Sequence, residues 1–158
     1  MQFELKPILL VEDSELDVEL TLEAFKENRL VNAVLVLHDG EEALEYLCRQ
    51  GRFADRPEGN PLLVLLDLKM PKVSGLDVLR QVKSDPELKK IPIVMLTTSR
   101  EEQDLVDSYN LGVNAYVVKP VNFAEFAGTI RKLAAFWALL NQPPPGSVPN
   151  EPLPDGGR

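Results

Sequence analysis

Five short apolar runs, Ile8 to Val11, Ala33 to Leu37, Leu62 to Leu66, Ile91 to Leu96 and Ala115 to Val118, recur at intervals of about 20 to 30 residues. Each is a continuous stretch rich in Val, Ile and Leu, the pattern of a parallel strand buried on both faces. Helical segments separate them. The first opens at Ser14, whose hydroxyl can cap free amides with Asp17 three residues on; Leu16, Val18, Leu20 and Leu22 alternate like a strand, but the cap and the continuation through Glu27 favour helix. Gly40 to Arg49, Ser74 to Ser84, Glu101 to Leu111 and Asn122 to Leu140 supply the other four. Strict alternation of this kind predicts an α/β fold, a doubly wound five-stranded parallel sheet of (βα)5 form.

The chain of 158 residues carries a net charge of −8, which opposes binding to phosphate backbones, and no basic stripe offsets it; nucleic acid is not an expected partner. No apolar run approaches the roughly 20 residues needed to cross a bilayer, and the start lacks an export signal, so no membrane association and a cytoplasmic location are expected. The one cysteine, Cys48, fits a reducing compartment and reads as packing within a helix. Residues 1–140 account for the domain. Residues 141–158, a Pro- and Gly-rich tail, cannot build a core and hold no output domain. The connection Gln50 to Pro61 is long for its kind, but it enters a strand from a helix, at the sheet end away from where open α/β folds place their sites, and reads as a surface insertion.

In such sheets the ligand crevice lies beyond the carboxyl ends of the strands. The first run ends in Glu12 and Asp13, the third in Asp67, the fourth in Thr97-Thr98-Ser99 and the fifth in Lys119-Pro120. If the first and third strands are neighbours, their carboxylates converge, and carboxylates that close need a compensating charge. Mg2+ is a hard cation suited to one or two carboxylates, waters and phosphate oxygens. Lys119 offers a compact positive charge and Thr97 a hydroxyl to a phosphoryl group. The array predicts an aspartate that attacks phosphorus and is held as an acyl phosphate.

Glu12-Asp13, then Leu66-Asp67-Leu68-Lys69-Met70-Pro71 followed by Gly75, then Thr97 and Lys119-Pro120, resemble the receiver domain of two-component response regulators over about residues 5 to 140. The resemblance implies a CheY-like (flavodoxin-like) sheet of order 2-1-3-4-5. It implies Asp67 as phosphoacceptor, Asp13 as a direct Mg2+ ligand, Glu12 acting largely through metal-bound water, and the backbone carbonyl of Lys69 as a further ligand. Thr97 and Lys119 would bind phosphoryl oxygens, the Lys119-Pro120 bond would be cis, and Thr97 with Tyr116 would form the switch. The long loop after Tyr46-Leu47, the run Lys83 to Pro92 and the Ser108 to Asn114 segment are similar to phytochrome-associated response regulators, which implies a phytochrome-like sensor histidine kinase as phosphodonor.

Two other readings use the same strand ends. A haloacid-dehalogenase-like phosphatase wants a second Asp two residues after the nucleophile, where this chain has Lys69. A flavodoxin-like cofactor site wants a phosphate-cradling loop after the first strand, where Glu12 and Asp13 would repel phosphate. His38, the single histidine, excludes a His-cluster metal site and disfavours a Ser-His hydrolase. In the last helix Phe126, Ile130, Leu133, Trp137 and Leu140 form one apolar stripe, which Phe136 and Leu139 widen. With the fourth helix and fifth strand, Phe136 and Trp137 make a candidate homodimer surface.

Overall fold

The five apolar runs lie side by side because each can bury both faces only inside a sheet covered on both sides. In the computed structural model, which describes residues 6–27 and 32–141 without the side chains of Leu139 and Leu140, the strands are β1 (Ile8–Val11), β2 (Val34–Leu37), β3 (Leu63–Leu66), β4 (Ile93–Thr97) and β5 (Ala115–Val118). All pairings are parallel and the order is β2-β1-β3-β4-β5, as expected from the resemblance. The helices are α1 (Glu15–Glu27), α2 (Gly40–Cys48), α3 (Gly75–Ser84), α4 (Glu102–Asn110) and α5 (Phe123–Ala134).

Alternate strand residues feed two cores. Leu9, Val11, Val64, Leu66, Ile93 and Met95 pack with α2 and α3. Ile8, Leu10, Leu63, Leu65, Val94 and Leu96 pack with α1 and α5. The alternating Leu16 to Leu22 segment is helical, as its cap predicts: Val18, Thr21, Ala24 and Phe25 face inward at helical spacing, while Leu16 is 63% exposed. The segment Gln50 to Pro61 lies at the sheet end opposite the acidic residues, where the Leu62 N–H donates to Pro7 O at 3.0 Å. It is stapled by Arg56, whose guanidinium donates to Tyr46 O at 2.6 Å and stacks 4.3 Å from the Tyr46 ring.

The structure corrects three expectations. The last helix is not one α-helix through Leu140: it widens into a π-helical segment over Ala135–Leu140, closed by the Asn141 N–H on Phe136 O, an i to i+5 bond that the stripe spacing does not reveal. Cys48 is exposed at the last position of α2, because the inward face of that helix is filled by Ala43 and Leu47. The Lys119-Pro120 bond is trans, since the described residues contain no cis peptide. Trans is the lower-energy form of an X-Pro bond by about 0.5–1 kcal/mol, and the Lys119 N–H closes the ladder onto Thr97 O at 2.7 Å with the bond in that form. The tail from 142 onward lies outside the described residues.

Candidate functional site

Strand register places the acidic residues. Val11 is level with Leu66, so the next residues, Glu12 and Asp67, leave the sheet together at the point where strand order reverses. The Asp67 N–H still donates to Val11 O at 3.0 Å, and the Glu12 N–H to Leu37 O at 3.0 Å. These bonds end the ladder, so both carboxylates stand at the carboxyl ends of their strands, where open parallel sheets place their ligands. One oxygen each from Glu12, Asp13 and Asp67 lie within 4.8 Å of one another. Glu12 and Asp67 are buried, and Asp13 stands at the rim, exposed.

Lys119 enters from β5. Its Nζ donates to Glu12 Oε2 at 2.7 Å and to Asp17 Oδ2 at 2.9 Å, in a pocket that leaves the Lys119 side chain 6% exposed. Burial pushes the Glu12 carboxyl up to about 7; the charge of Asp67 adds to this, while Lys119 and the Ser14 N–H oppose it. Burial also raises Asp67, helped by Asp13, against the pull of Lys119, the Leu68 N–H and a hydrogen bond with Glu12. For Lys119, burial works against the charged form, but its bonds to Glu12 and Asp17 and the charges of Asp67 and Glu12 overcome it and raise the ammonium above its ordinary value. The site thus has one buried cation among converging carboxylates and a surplus of negative charge.

An all-oxygen donor set held this close, with two of its acids pushed toward neutrality, fits a hard divalent cation. A test follows from the sign of the Glu12 shift. Between its ordinary value near 4.5 and about 7 the folded chain holds a proton that the unfolded chain releases. Stability of the metal-free protein is therefore expected to fall as pH rises through that window, by roughly 2 kcal/mol after allowance for screening at the open rim, or about 4–8 °C in Tm. Mg2+ at a hundred times its dissociation constant is expected to restore about 2.7 kcal/mol at pH 7.5. Thermal melts from pH 5 to 8 in chelator and in Mg2+ check both; a flat or rising profile in chelator contradicts the assignment.

The other predicted residues stand around this centre. Thr97, 1% exposed, ends β4, and its hydroxyl oxygen accepts the Ser99 N–H at 3.2 Å. The Lys69 side chain turns outward to Glu101, 3.8 Å away, so the position two after Asp67 supplies no acid. The half-buried Tyr116 donates its hydroxyl to Ser99 O at 3.0 Å, tying β5 to the loop after Thr97. Phe136 and Trp137 meet edge to face at 5.0 Å, far along the chain from the acidic cluster, beside a cavity of about 500 Å3 between β5 and α5.

Two residues take part in the site with no role assigned to them there from the sequence, which read Asp17 as a helix cap and Ser99 as a strand end. Asp17 looks like the acid of a capping box with Ser14, yet it binds Lys119. Ser99 is 6% exposed and is a node: its hydroxyl donates to Asp104 at 2.5 Å and accepts the Glu101 N–H at 3.3 Å, and its carbonyl receives Tyr116. The Ser-x-x-x-x-Asp spacing at the start of α4 was the available signal.

Residues 8–131 match the response regulator receiver domain family. The response regulator Rcp1 of Synechocystis sp. (strain ATCC 27184 / PCC 6803 / Kazusa) is 41% identical over 132 residues, 84% of this chain and 88% of Rcp1. The crystal structure of its Mn2+-bound form superposes with a TM-score of 0.82 at 40% identity, covering 88% of this chain and 99% of that one. The phosphorylated cyanobacterial phytochrome response regulator RcpA gives 0.83 at 39% identity, covering 89% and 99%. The bacteriophytochrome response regulator RtBRR gives 0.72 at 61% identity, covering 90% and 86%. With its strand order, its carboxylate triplet and its buried lysine at the matching ends of the strands, this chain belongs to the response regulator receiver domain family.

Proposed function

We propose that this protein accepts a phosphoryl group on Asp67 from a phytochrome-like sensor histidine kinase in the cytoplasm. The observation that carries the reading is the convergence of Glu12, Asp13 and Asp67 beside a buried Lys119. An Asp67 carboxylate oxygen attacks phosphorus, forming the O–P bond of an acyl phosphate as the N–P bond of the donor phosphohistidine breaks; the departing imidazole keeps the electron pair and takes a proton from solvent. Glu12, Asp13, Asp67 and the Lys69 carbonyl would hold Mg2+, Glu12 mainly through water. When bound, Mg2+ neutralises charge on the acids and on the phosphoryl oxygens. Lys119 and Thr97 take the phosphoryl oxygens, using an ammonium and a hydroxyl already buried at the strand ends.

The acyl phosphate then acts as a switch. Thr97 is bonded to the Ser99 N–H and Tyr116 to the Ser99 carbonyl, so a movement of Thr97 toward phosphate shifts the segment that anchors the tyrosine. The affected surface is α4, β5 and α5 with its π-helical continuation, where Leu105, Val106, Tyr109 and Phe136 are exposed, and a homodimer through Phe136 and Trp137 would read it.

Intact mass after incubation with acetyl phosphate and Mg2+ is expected to rise by one phosphoryl group in the wild type, with no rise in Asp67→Asn or in chelator. No uptake by the wild type sinks the reading. Light scattering on the same samples tests the dimer, which a monomer in both states at micromolar concentration rules out.

A further inference from the structure

Asp17 does something that its place in the sequence does not announce. At α3, Ser74 and Asp77 form a reciprocal cap: the Ser74 hydroxyl accepts the Asp77 N–H at 3.2 Å, and Asp77 Oδ2 accepts from the Ser74 N–H at 3.4 Å. At α1 the same spacing is only half used. The Ser14 hydroxyl accepts the Asp17 N–H at 3.3 Å, but the Ser14 N–H is taken by Glu12 Oε1 at 3.1 Å. The Asp17 carboxylate is released from the cap and reaches Lys119 Nζ. Its backbone carbonyl accepts the hydroxyl of Thr21, a buried residue one turn further along α1, at 2.7 Å.

An ammonium has three N–H groups. In Lys119 one goes to Glu12 and one to Asp17, which leaves one for the acceptor side of the site. A phosphoryl group on Asp67 presents several oxygens to this cation, so Lys119 engages it fully only by giving up a carboxylate. Glu12 is inside the carboxylate triplet; Asp17 is outside it, on α1, with its side chain 30% exposed. Water can take over the Asp17 carboxylate when the lysine leaves.

We propose that Asp17 is a positioning residue that holds the Lys119 ammonium toward α1 in competition with the phosphoryl group, and so sets how tightly the site takes phosphoryl donors. The inference rests on the phosphoacceptor reading of Asp67. Without the Asp17 charge, Lys119 meets donor and transition state with the same advantage, which lowers the half-saturating donor concentration and leaves the maximal rate in place.

The experiment is a titration of acetyl phosphate with Mg2+, followed by intact mass, on the wild type, Asp17→Asn, Asp17→Ala and Asp17→Glu, with thermal melts of each. A partly exposed ion pair is worth up to about fivefold in an equilibrium, so half-saturation in Asp17→Asn and Asp17→Ala is expected at roughly three- to fivefold lower donor, with maximal rates within about twofold. Asp17→Glu, which keeps the carboxylate, is expected to restore the wild-type value. Beryllofluoride titrations read through the Leu68 amide resonance, whose N–H donates to Asp67, are expected to tighten by the same factor. A residue that only supports the start of α1 changes Tm and leaves half-saturation alone. Unchanged or weaker donor binding in both neutral variants, with the wild type phosphorylated, overturns the role of Asp17; a wild type that takes up no phosphoryl group overturns the acceptor reading and this inference together.

Discussion

Replacing Lys119 with methionine is expected to unfold the protein about 3 kcal/mol more easily at pH 7.5 and to slow phosphoryl uptake about a hundredfold. Methionine keeps the length and the apolar stem but removes the only cation that the described site places between Glu12 and Asp17. Breaking a buried pair costs more than the pair itself contributes, because the partner is left as an uncompensated charge. Here the stranded group is Glu12, 3% exposed, with Asp67 close by. The loss is limited because Glu12 can take a proton instead, and its carboxyl is already raised to about 7 with Lys119 in place. Removing the lysine raises it further, so the variant is expected to recover most of its deficit toward pH 5. Lys119→Arg separates the two effects: it keeps the charge and much of the stability, but a planar fork in a pocket built for a compact ammonium slows uptake. Melts of the three proteins at pH 5 and 7.5, with uptake from acetyl phosphate, decide the matter. A Lys119→Met protein equally stable at both pH values contradicts this electrostatic account.

The residues that make this outcome possible were legible to different degrees. Glu12, Asp13, Asp67 and Lys119 could be read because each ends an unbroken apolar run, and a polar residue at the carboxyl end of a buried strand has only the crevice to face. The runs themselves were readable because burial on both faces leaves little room for anything but Val, Ile, Leu and Met. Asp17 was hidden because Ser14-x-x-Asp17 satisfies a local rule. Only the tertiary packing of α1 against α5, which brings α1 beside the end of β5, shows that the Asp17 carboxylate goes to Lys119 and not back to the Ser14 N–H. The widening of the last helix was hidden for a similar reason: Phe136, Trp137 and their neighbours are compatible with either helical period, and hydrophobic spacing does not separate an i+4 from an i+5 bond over one turn. Cys48 was misplaced because α2 is short, and its inward face is already complete at Leu47. Ser99 was seen as a strand end, but its four hydrogen bonds reach Thr97 at the end of β4, a tyrosine from β5, Glu101 and an aspartate from α4, a convergence that no single segment encodes.

A last expected result concerns the loop that carries the acceptor. Gly75 begins α3, and its N–H donates to Leu68 O at 2.9 Å, which draws the helix start against the chain just beyond Asp67. A Cβ added at Gly75 would overlap the Asp67 carbonyl oxygen and lie 2.8 Å from Leu68 Cα and 3.0 Å from the Asp67 carbonyl carbon. The three nearest atoms are all backbone, so no side-chain rotation relieves the overlap. The helix start or the acceptor loop must shift, and the Leu68 N–H that holds Asp67 Oδ1 at 2.8 Å shifts with it. Gly75→Ala is therefore expected to cost about 3 kcal/mol, the upper part of the range for overpacking, and to reduce phosphoryl uptake as well. Gly128 provides the contrast within the same chain. It lies in α5 with nothing within 4 Å of an added Cβ, so there the helix preference of alanine is unopposed and Gly128→Ala is expected to stabilise by about 0.5–1 kcal/mol. The same chemical change thus moves Tm in opposite directions, by about −6 to −12 °C at 75 and about +1 to +4 °C at 128. Equal shifts at the two positions would mean that the close approach of α3 to the Asp67 backbone does not constrain the site.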